Sequence, residues 1–279
     1  MAGLAAGLRP EAVFALSELA ELEARLAESG HPLADAPVYA VDRRVAAKLS
    51  TLESPAALMA VFAVPEAPAL GELRAPARAG AATQVAPGGE TALRRALPAG
   101  SRGLAPNLVV YADRLADPGN LGTLVRAAAA FAAAALVASP GSVDLFSPKV
   151  VRAGMGAVFA LPLYQDIPLA RAVAELHAGP VYGLVAHGGR LLDEVAAAGG
   201  PGAQPDRAGG SHGASAPAQR PAILVVGSER AGLSAEALAC VTDLVTIPLA
   251  GATGGGVESL NAGVAGAIAL YELSRPGAR

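Results

Sequence analysis

Cysteine is almost missing from this chain. Cys240 is the one thiol in 279 residues, so no intrachain disulfide can form and no cysteine-based zinc site can be assembled. Aromatic residues are scarce too: tryptophan is absent, and the three aromatic types together make 4% of the chain. A core must therefore be built from alanine, valine and leucine. Of the 21 basic residues only Lys48 and Lys149 are lysine. With the alanine excess, this marks a GC-rich coding bias rather than a function. A strong charge of either sign is also lacking. The formal net charge is −3, so bulk electrostatics announces no nucleic-acid partner. Long apolar runs are absent as well. The longest uncharged one, Ala127–Ser139, is well short of the ~20 residues of a spanning helix. Met1–Arg9 shows no basic start followed by an apolar stretch, so no signal peptide is visible. These absences predict a cytoplasmic protein with no membrane contact. What is present is a 53% hydrophobic content, enough for one large domain or two modest ones and too much for a wholly disordered chain.

Four zones follow one another. In the first, residues 1–64, Val13–Ala15 and Val38–Val41 read as strands, as does Leu58–Val64. Ser17 and Asp42 read as helix caps. Alternating strands and helices predict a small α/β unit. Met1–Leu8 reads like the end of a helix whose first half is missing, so an incomplete front domain is expected. The second zone, residues 65–106, is rich in Pro, Gly, Ala and Arg and reads as a flexible linker, or as a basic strap for phosphates. The third starts at Asn107. Strands are expected at Leu108–Tyr111, Ala135–Val137 and Val181–Ala186, with helices over Gly122–Ala135 and Lys149–Phe159. Residues 196–220 hold almost no large apolar side chain and read as a disordered insertion. The fourth zone offers strands at Ile223–Val226 and Val245–Pro248, and a helix over Asn261–Leu273.

Three polar clusters sit at the C-terminal ends of expected strands, where open α/β sheets bind ligands. The first is Asp117-Pro118-Gly119-Asn120-Leu121-Gly122, followed by Arg126. Asn120 reads as a helix cap. Arg126 reads either as a solvated surface residue or as an arginine held over a cleft. The second is Gly227-Ser228-Glu229-Arg230-Ala231-Gly232-Leu233-Ser234, which taken alone is a strand-to-helix turn capped by Ser234. The third runs from Ile247-Pro248 through a glycine-rich loop to Glu258-Ser259-Leu260-Asn261. Such a loop entering a helix suits a polar or anionic group, but it lacks the dinucleotide fingerprint. His31, His177, His187 and His212 show no ligand spacing, so no metal is expected.

In this order the three clusters resemble the SpoU (TrmH-like) family of RNA ribose 2′-O-methyltransferases, over about Asn107–Leu273. Ser147–Gly156 resembles the stretch between that family's first and second motifs. The first zone is similar to the later part of a ribosomal-protein-like RNA substrate-binding domain. The resemblance implies an α/β fold, a SPOUT-type parallel sheet with a C-terminal trefoil knot, over residues 107–275. It implies S-adenosylmethionine as cofactor, contacted at Gly227, Ile247 and Leu260. It implies a homodimer with the active site near the interface. Arg126 matches the arginine proposed to activate the ribose hydroxyl, oriented on this reading by Glu229. Asn120, Glu229, Ser259 and Asn261 match the polar residues around it, and Arg126 and Arg152 are the expected RNA contacts. The implied function is 2′-O-methylation of structured RNA, large-subunit rRNA first and tRNA as the alternative. Ala252–Gly255 look inserted in the third motif, and Arg230-Ala231 depart from the family's usual pair. These departures leave open a catalytically impaired RNA-binding or regulatory protein of the same fold. The few aromatics argue against base stacking as the main source of RNA affinity.

Overall fold

The computed structural model describes residues 3, 8–16, 36–50, 56–73, 107–198, 220–250 and 258–274. Contacts divide the chain into two compact units. Among the described residues one ends at Glu66 and the other begins at Ala67.

In the first unit β1 (Pro10–Ala15) is the central strand. β2 (Val38–Ala40) lies parallel beside it and β3 (Leu58–Phe62) antiparallel on the other side. Side chains alternate across a strand, so Val13 and Ala15 share a face and are buried against Leu58, Ala60 and Phe62. α1 (Arg43–Leu49) begins where the sequence predicts, with the Asp42 carboxylate accepting from Val45 N at 2.8 Å. The helix expected after Ser17 lies outside the described residues.

The second unit is a seven-stranded sheet in the order β6-β5-β4-β9-β7-β10-β8, with every neighbouring pair parallel. The strands are β4 (Leu108–Ala112), β5 (Ala135–Ala138), β6 (Leu163–Tyr164), β7 (Val181–Leu184), β8 (Arg190–Leu191), β9 (Ala222–Val226) and β10 (Asp243–Thr246). β4 and β9 are buried at every residue, as continuous apolar runs should be in a sheet covered on both faces. Leu108, Val110 and Ala112 point into one core layer, while Val109 and Tyr111 point into the other. From β4 the chain lays down β5 and β6 on one side, then crosses to β7 on the other. β9 then enters between β4 and β7, and β10 between β7 and β8.

The helices are α2 (Pro118–Ala130), α3 (Pro148–Ala153), α4 (Leu169–Glu175), α5 (Leu192–Ala197), α6 (Ala235–Leu238) and α7 (Ala262–Ser274). α2 and α7 cross closely. A Cβ on Gly263 would lie 3.0 Å from Thr123 Cβ, and one on Gly266 would lie 2.5 Å from Leu124 Cδ1.

Three expectations need correction. α2 starts at Pro118 and its cap is Asp117, whose carboxylate accepts from Asn120 N at 2.8 Å. Pro118 in the first helical position has no N–H to leave unpaired, so the cap is the residue before it, three positions ahead of the expected Asn120. Asn120 is thus inside the first turn, and α2 ends at Ala130, before the expected Ala135. Second, the stretch read as the start of a flexible linker is packed. A 3-10 turn, Leu70–Glu72, buries Leu70 to 4% exposure in the layer formed by Leu169, Ala172 and Leu176. Tyr164 Oη donates to Pro68 O at 2.9 Å. Burying a leucine this fully stabilises by about 2 kcal/mol and offsets part of the entropy lost in ordering the turn. Residues 74–106 lie outside the described residues. Third, Ala196 and Ala197 close α5 rather than opening an insertion, and 199–219 lie outside the described residues.

Candidate active site

The C-terminal ends of β7, β9 and β10 open onto one cavity of about 210 Å³. Leu184 ends β7 and Val185 and Ala186 follow it, Val226 ends β9 and Gly227–Glu229 follow it, and Ile247 and Leu249 follow β10; Ser259, Leu260, Ala262 and Ala265 close the cavity at the start of α7. Gly227, Ile247 and Leu260, drawn from two separate motifs, therefore line a common space, together with Glu229 and Ser259. The wall is mostly apolar side chain, with backbone polar groups supplied by the turns between strand and helix.

The turn after β9 is tight. Ser228 and Gly232 exchange backbone hydrogen bonds at 3.1 and 2.9 Å, with Gly232 at φ 66°. A Cβ on Gly227 would overlap the Gly232 carbonyl and sit 2.8 Å from Leu233 N, so no other residue fits there unless the turn opens.

Side chains from all three motifs meet beside the cavity. Asn261 Nδ2 donates to Asn120 Oδ1 at 2.7 Å, and Asn120 Nδ2 donates to Glu229 Oε1. Asn261 Oδ1 accepts from Val264 N at 3.2 Å, fixing the start of α7. The displaced cap explains this: because Asp117 takes the Asn120 N–H, the Asn120 carboxamide is left to bridge. Glu229 is bound to Asn120, not to Arg126 as expected.

Arg126 and Arg152 stand apart. Arg126 is exposed on α2, one turn beyond Gly122, which faces Val150 and Ala153 of α3. Arg152 is exposed on α3. Neither lines the cavity. The Ala252–Gly255 stretch lies outside the described residues.

One buried carboxylate, bonded to the residue after the Gly227–Leu233 turn, escaped the motif reading. Asp113 follows β4 directly and is 3% exposed. Its carboxylate accepts from Ser234 N at 2.6 Å and from Ser234 Oγ at 3.0 Å. Burial, and after it the Asp113 charge, push the neighbouring Tyr111 phenol up from its ordinary value. A lone carboxylate after an all-apolar strand was the available signal. Among the described residues no three His, Cys, Asp or Glu are grouped as metal ligands, and no helix is long and apolar enough to cross a membrane.

A family model described as the SpoU rRNA Methylase family matches residues 107–271. The chain belongs to the SpoU rRNA methylase family. The match covers β4 through most of α7, and so every residue of the cavity. Among curated relatives, the 23S rRNA (guanosine(2553)-2′-O)-methyltransferase RlmP of Bacillus subtilis is 34% identical over 168 residues, 59% of this chain and 57% of that protein. The first relatives matched are longer still, and the matched region spans only 39% to 51% of their length. Among solved structures, a putative RNA methyltransferase of the TrmH family from Porphyromonas gingivalis is 28% identical, with a TM-score of 0.62, over 97% of this chain and 85% of that one. The SpoU methyltransferase AviRb of Streptomyces viridochromogenes, solved with AdoMet, shares the fold at a TM-score of 0.65 and 23% identity, over 98% of this chain and 85% of that one.

Proposed function

We propose that this SpoU-family chain methylates the ribose 2′-hydroxyl of structured RNA, with S-adenosylmethionine as donor and large-subunit rRNA as substrate. One observation carries the reading. The hydrogen bonds from Asn261 to Asn120 and from Asn120 to Glu229 join three distant motifs beside the cavity lined by Gly227, Ile247 and Leu260. That cavity suits the donor. Leu184, Val226, Ile247 and Leu260 offer apolar surface, and the turns after β9 and β10 offer backbone donors and acceptors. The activity for which RlmP is named supports the 2′-O position.

S-adenosylmethionine, when bound, supplies a methyl group on a sulfonium sulfur. The chain's own residues do the rest. A ribose hydroxyl is a poor nucleophile until its proton leaves, here to solvent water as the new C–O bond forms. A guanidinium gives up its own proton too reluctantly to act as a base, so Arg126 works by charge, stabilising the developing alkoxide and holding a neighbouring phosphate. Arg152 is a second phosphate contact. Asn120, Glu229 and Asn261 keep the three turns in register, and Ser259 faces the cavity. Because Arg126 lines no part of its own chain's cavity, the proposal includes a homodimer with the active site near the interface. It also includes the C-terminal trefoil knot that the family resemblance implies. The front unit, residues 1–64, is the RNA-holding domain in this reading.

The test is transfer of a labelled methyl group from S-adenosylmethionine to RNA. Arg126→Ala should abolish transfer while the oligomeric state by gel filtration is unchanged; full activity would remove Arg126 from the mechanism. No binding of S-adenosylmethionine at millimolar concentration in calorimetry would instead favour an RNA-binding or regulatory protein of the same fold that has lost catalysis. Mapping 2′-O-methyl positions in cells with and without the gene separates rRNA from tRNA.

A further inference from the structure

We infer that Asp113 is a positioning residue for donor binding: it clamps both ends of the Gly227–Leu233 turn and so holds the cavity open in its binding shape. The proposal rests on the donor-binding reading above. Asp113 N donates to Val226 O at 2.8 Å, gripping the last residue before the turn. The Asp113 carboxylate takes Ser234 N and Ser234 Oγ, gripping the first residue after it. Ser234 Oγ in turn accepts from Ala237 N at 3.1 Å and caps α6. Between these two grips Gly227, Ser228, Glu229 and Gly232 all line the cavity. Within the turn Ser228 and Gly232 bond one another and Ser228 Oγ accepts from Ala231 N at 3.2 Å, while Glu229 reaches Asn120 and Leu233 is buried as an anchor; Asp113 is the group that grips both ends.

At 3% exposure the carboxylate is shielded from water, so its bonds to Ser234 are not diluted by solvent competition. The arrangement also links two motifs. Asp113 lies between β4 and α2, so the turn that carries Glu229 is referenced to the element that carries Asn120. Glu229 meets Asn120 only if that reference holds.

Two measurements on the full chain test this: amide exchange across residues 227–234 without ligand, and calorimetry with S-adenosylmethionine. Asp113→Ala should speed exchange at Ser234 and Gly232 and weaken binding by roughly 10- to 100-fold, the loss expected for charge-assisted hydrogen bonds. Asp113→Asn keeps one acceptor for Ser234 N and should recover most of the affinity. Leu70→Ala, which weakens the core layer shared with Leu233 without touching the Asp113 hydrogen bonds, sets the baseline for general destabilisation and should bind as wild type. If Asp113→Ala does not fold, Ser234→Ala removes the hydroxyl bond to Asp113 together with the α6 cap, keeps the bond from Ser234 N to the carboxylate, and should show the same two effects, smaller. Wild-type exchange and affinity in Asp113→Ala, or in Ser234→Ala where that variant stands in, overturn the clamp. A fall in affinity matched by Leu70→Ala also overturns it, by showing a general loss of stability. A wild-type chain that binds no S-adenosylmethionine removes the reading beneath the proposal, and that result is seen before any variant is made.

Discussion

Asn120 and Asn261 stand 141 positions apart in the chain and share a 2.7 Å hydrogen bond. The same Asn120 side chain donates to Glu229, 109 positions away. One carboxamide therefore uses its acceptor on the third motif and its donor on the second. Only an amide serves both, and this makes Asn120 a sensitive position.

Asn120→Asp removes the donor and sets a second carboxylate against Glu229. We expect a loss of roughly 1–3 kcal/mol at neutral pH from the lost bond and the facing charges. Two facing carboxylates raise the proton affinity of the pair in the folded state above that in the unfolded chain. The penalty is therefore full at high pH and fades as pH falls through the raised value. Urea unfolding of variant and wild type at about pH 5 and about pH 8 measures this. A stability gap that is the same at both pH values would contradict the contact.

Gly227→Ala places a methyl against the Gly232 carbonyl. The turn must open to admit it, at a cost of about 1–3 kcal/mol. Because that turn lines the cavity, S-adenosylmethionine affinity should fall by at least about tenfold while the sheet stays folded. Calorimetry beside far-ultraviolet circular dichroism separates the two effects. Unchanged affinity would show that the donor does not use this turn.

Tyr164 reports whether residues 67–73 are docked. Burial, and after it the nearby Glu72 charge, push its phenol up from 10.0 to about 12. The folded state thus holds the phenolic proton more tightly than the unfolded chain does. The stabilisation is complete below the ordinary value of 10.0 and is lost as pH rises to about 12. The difference in absorbance at the tyrosinate band between wild type and Tyr164→Phe should therefore titrate near about 12. Adding Leu70→Asp, which buries a charge where a leucine sat, should release the segment and bring the midpoint down toward 10.0. A Tyr164 midpoint that ignores Leu70→Asp would mean that the turn does not cover this phenol.

Much of this architecture can be read from the residues themselves. β4 and β9 are all-apolar runs that end abruptly at polar residues, and Asp42 and Ser234 cap helices where capping chemistry predicts. The two-residue strands β6 and β8 leave no such trace, because a neighbouring strand decides their pairing rather than their own sequence. Asp117 and Asn120 are both good caps, and Pro118 between them decides the matter by its position in the first turn. Leu70 sits among prolines and alanines, so its burial depends on α4, some hundred residues further on. Three motifs in order were enough to name a family, yet the bond from Asn120 to Glu229 was not foreseen. It exists only once β4 and β9 are neighbours in the sheet.

The close crossing of α2 and α7 bears on how this gene has changed. Glycine and alanine codons differ by one base, and a GC-rich genome supplies both freely. Inside a helix alanine is favoured over glycine by about 1 kcal/mol, so drift should turn tolerant helical glycines into alanines. Much of the chain is already alanine. Gly119 and Gly122 of α2 are exceptions, and so are Gly263 and Gly266 of α7, where an added methyl would press on Thr123 and Leu124. In a sequence so saturated with alanine, a glycine kept within a helix becomes a marker, and the two in α7 point to the contact between the first motif and the last.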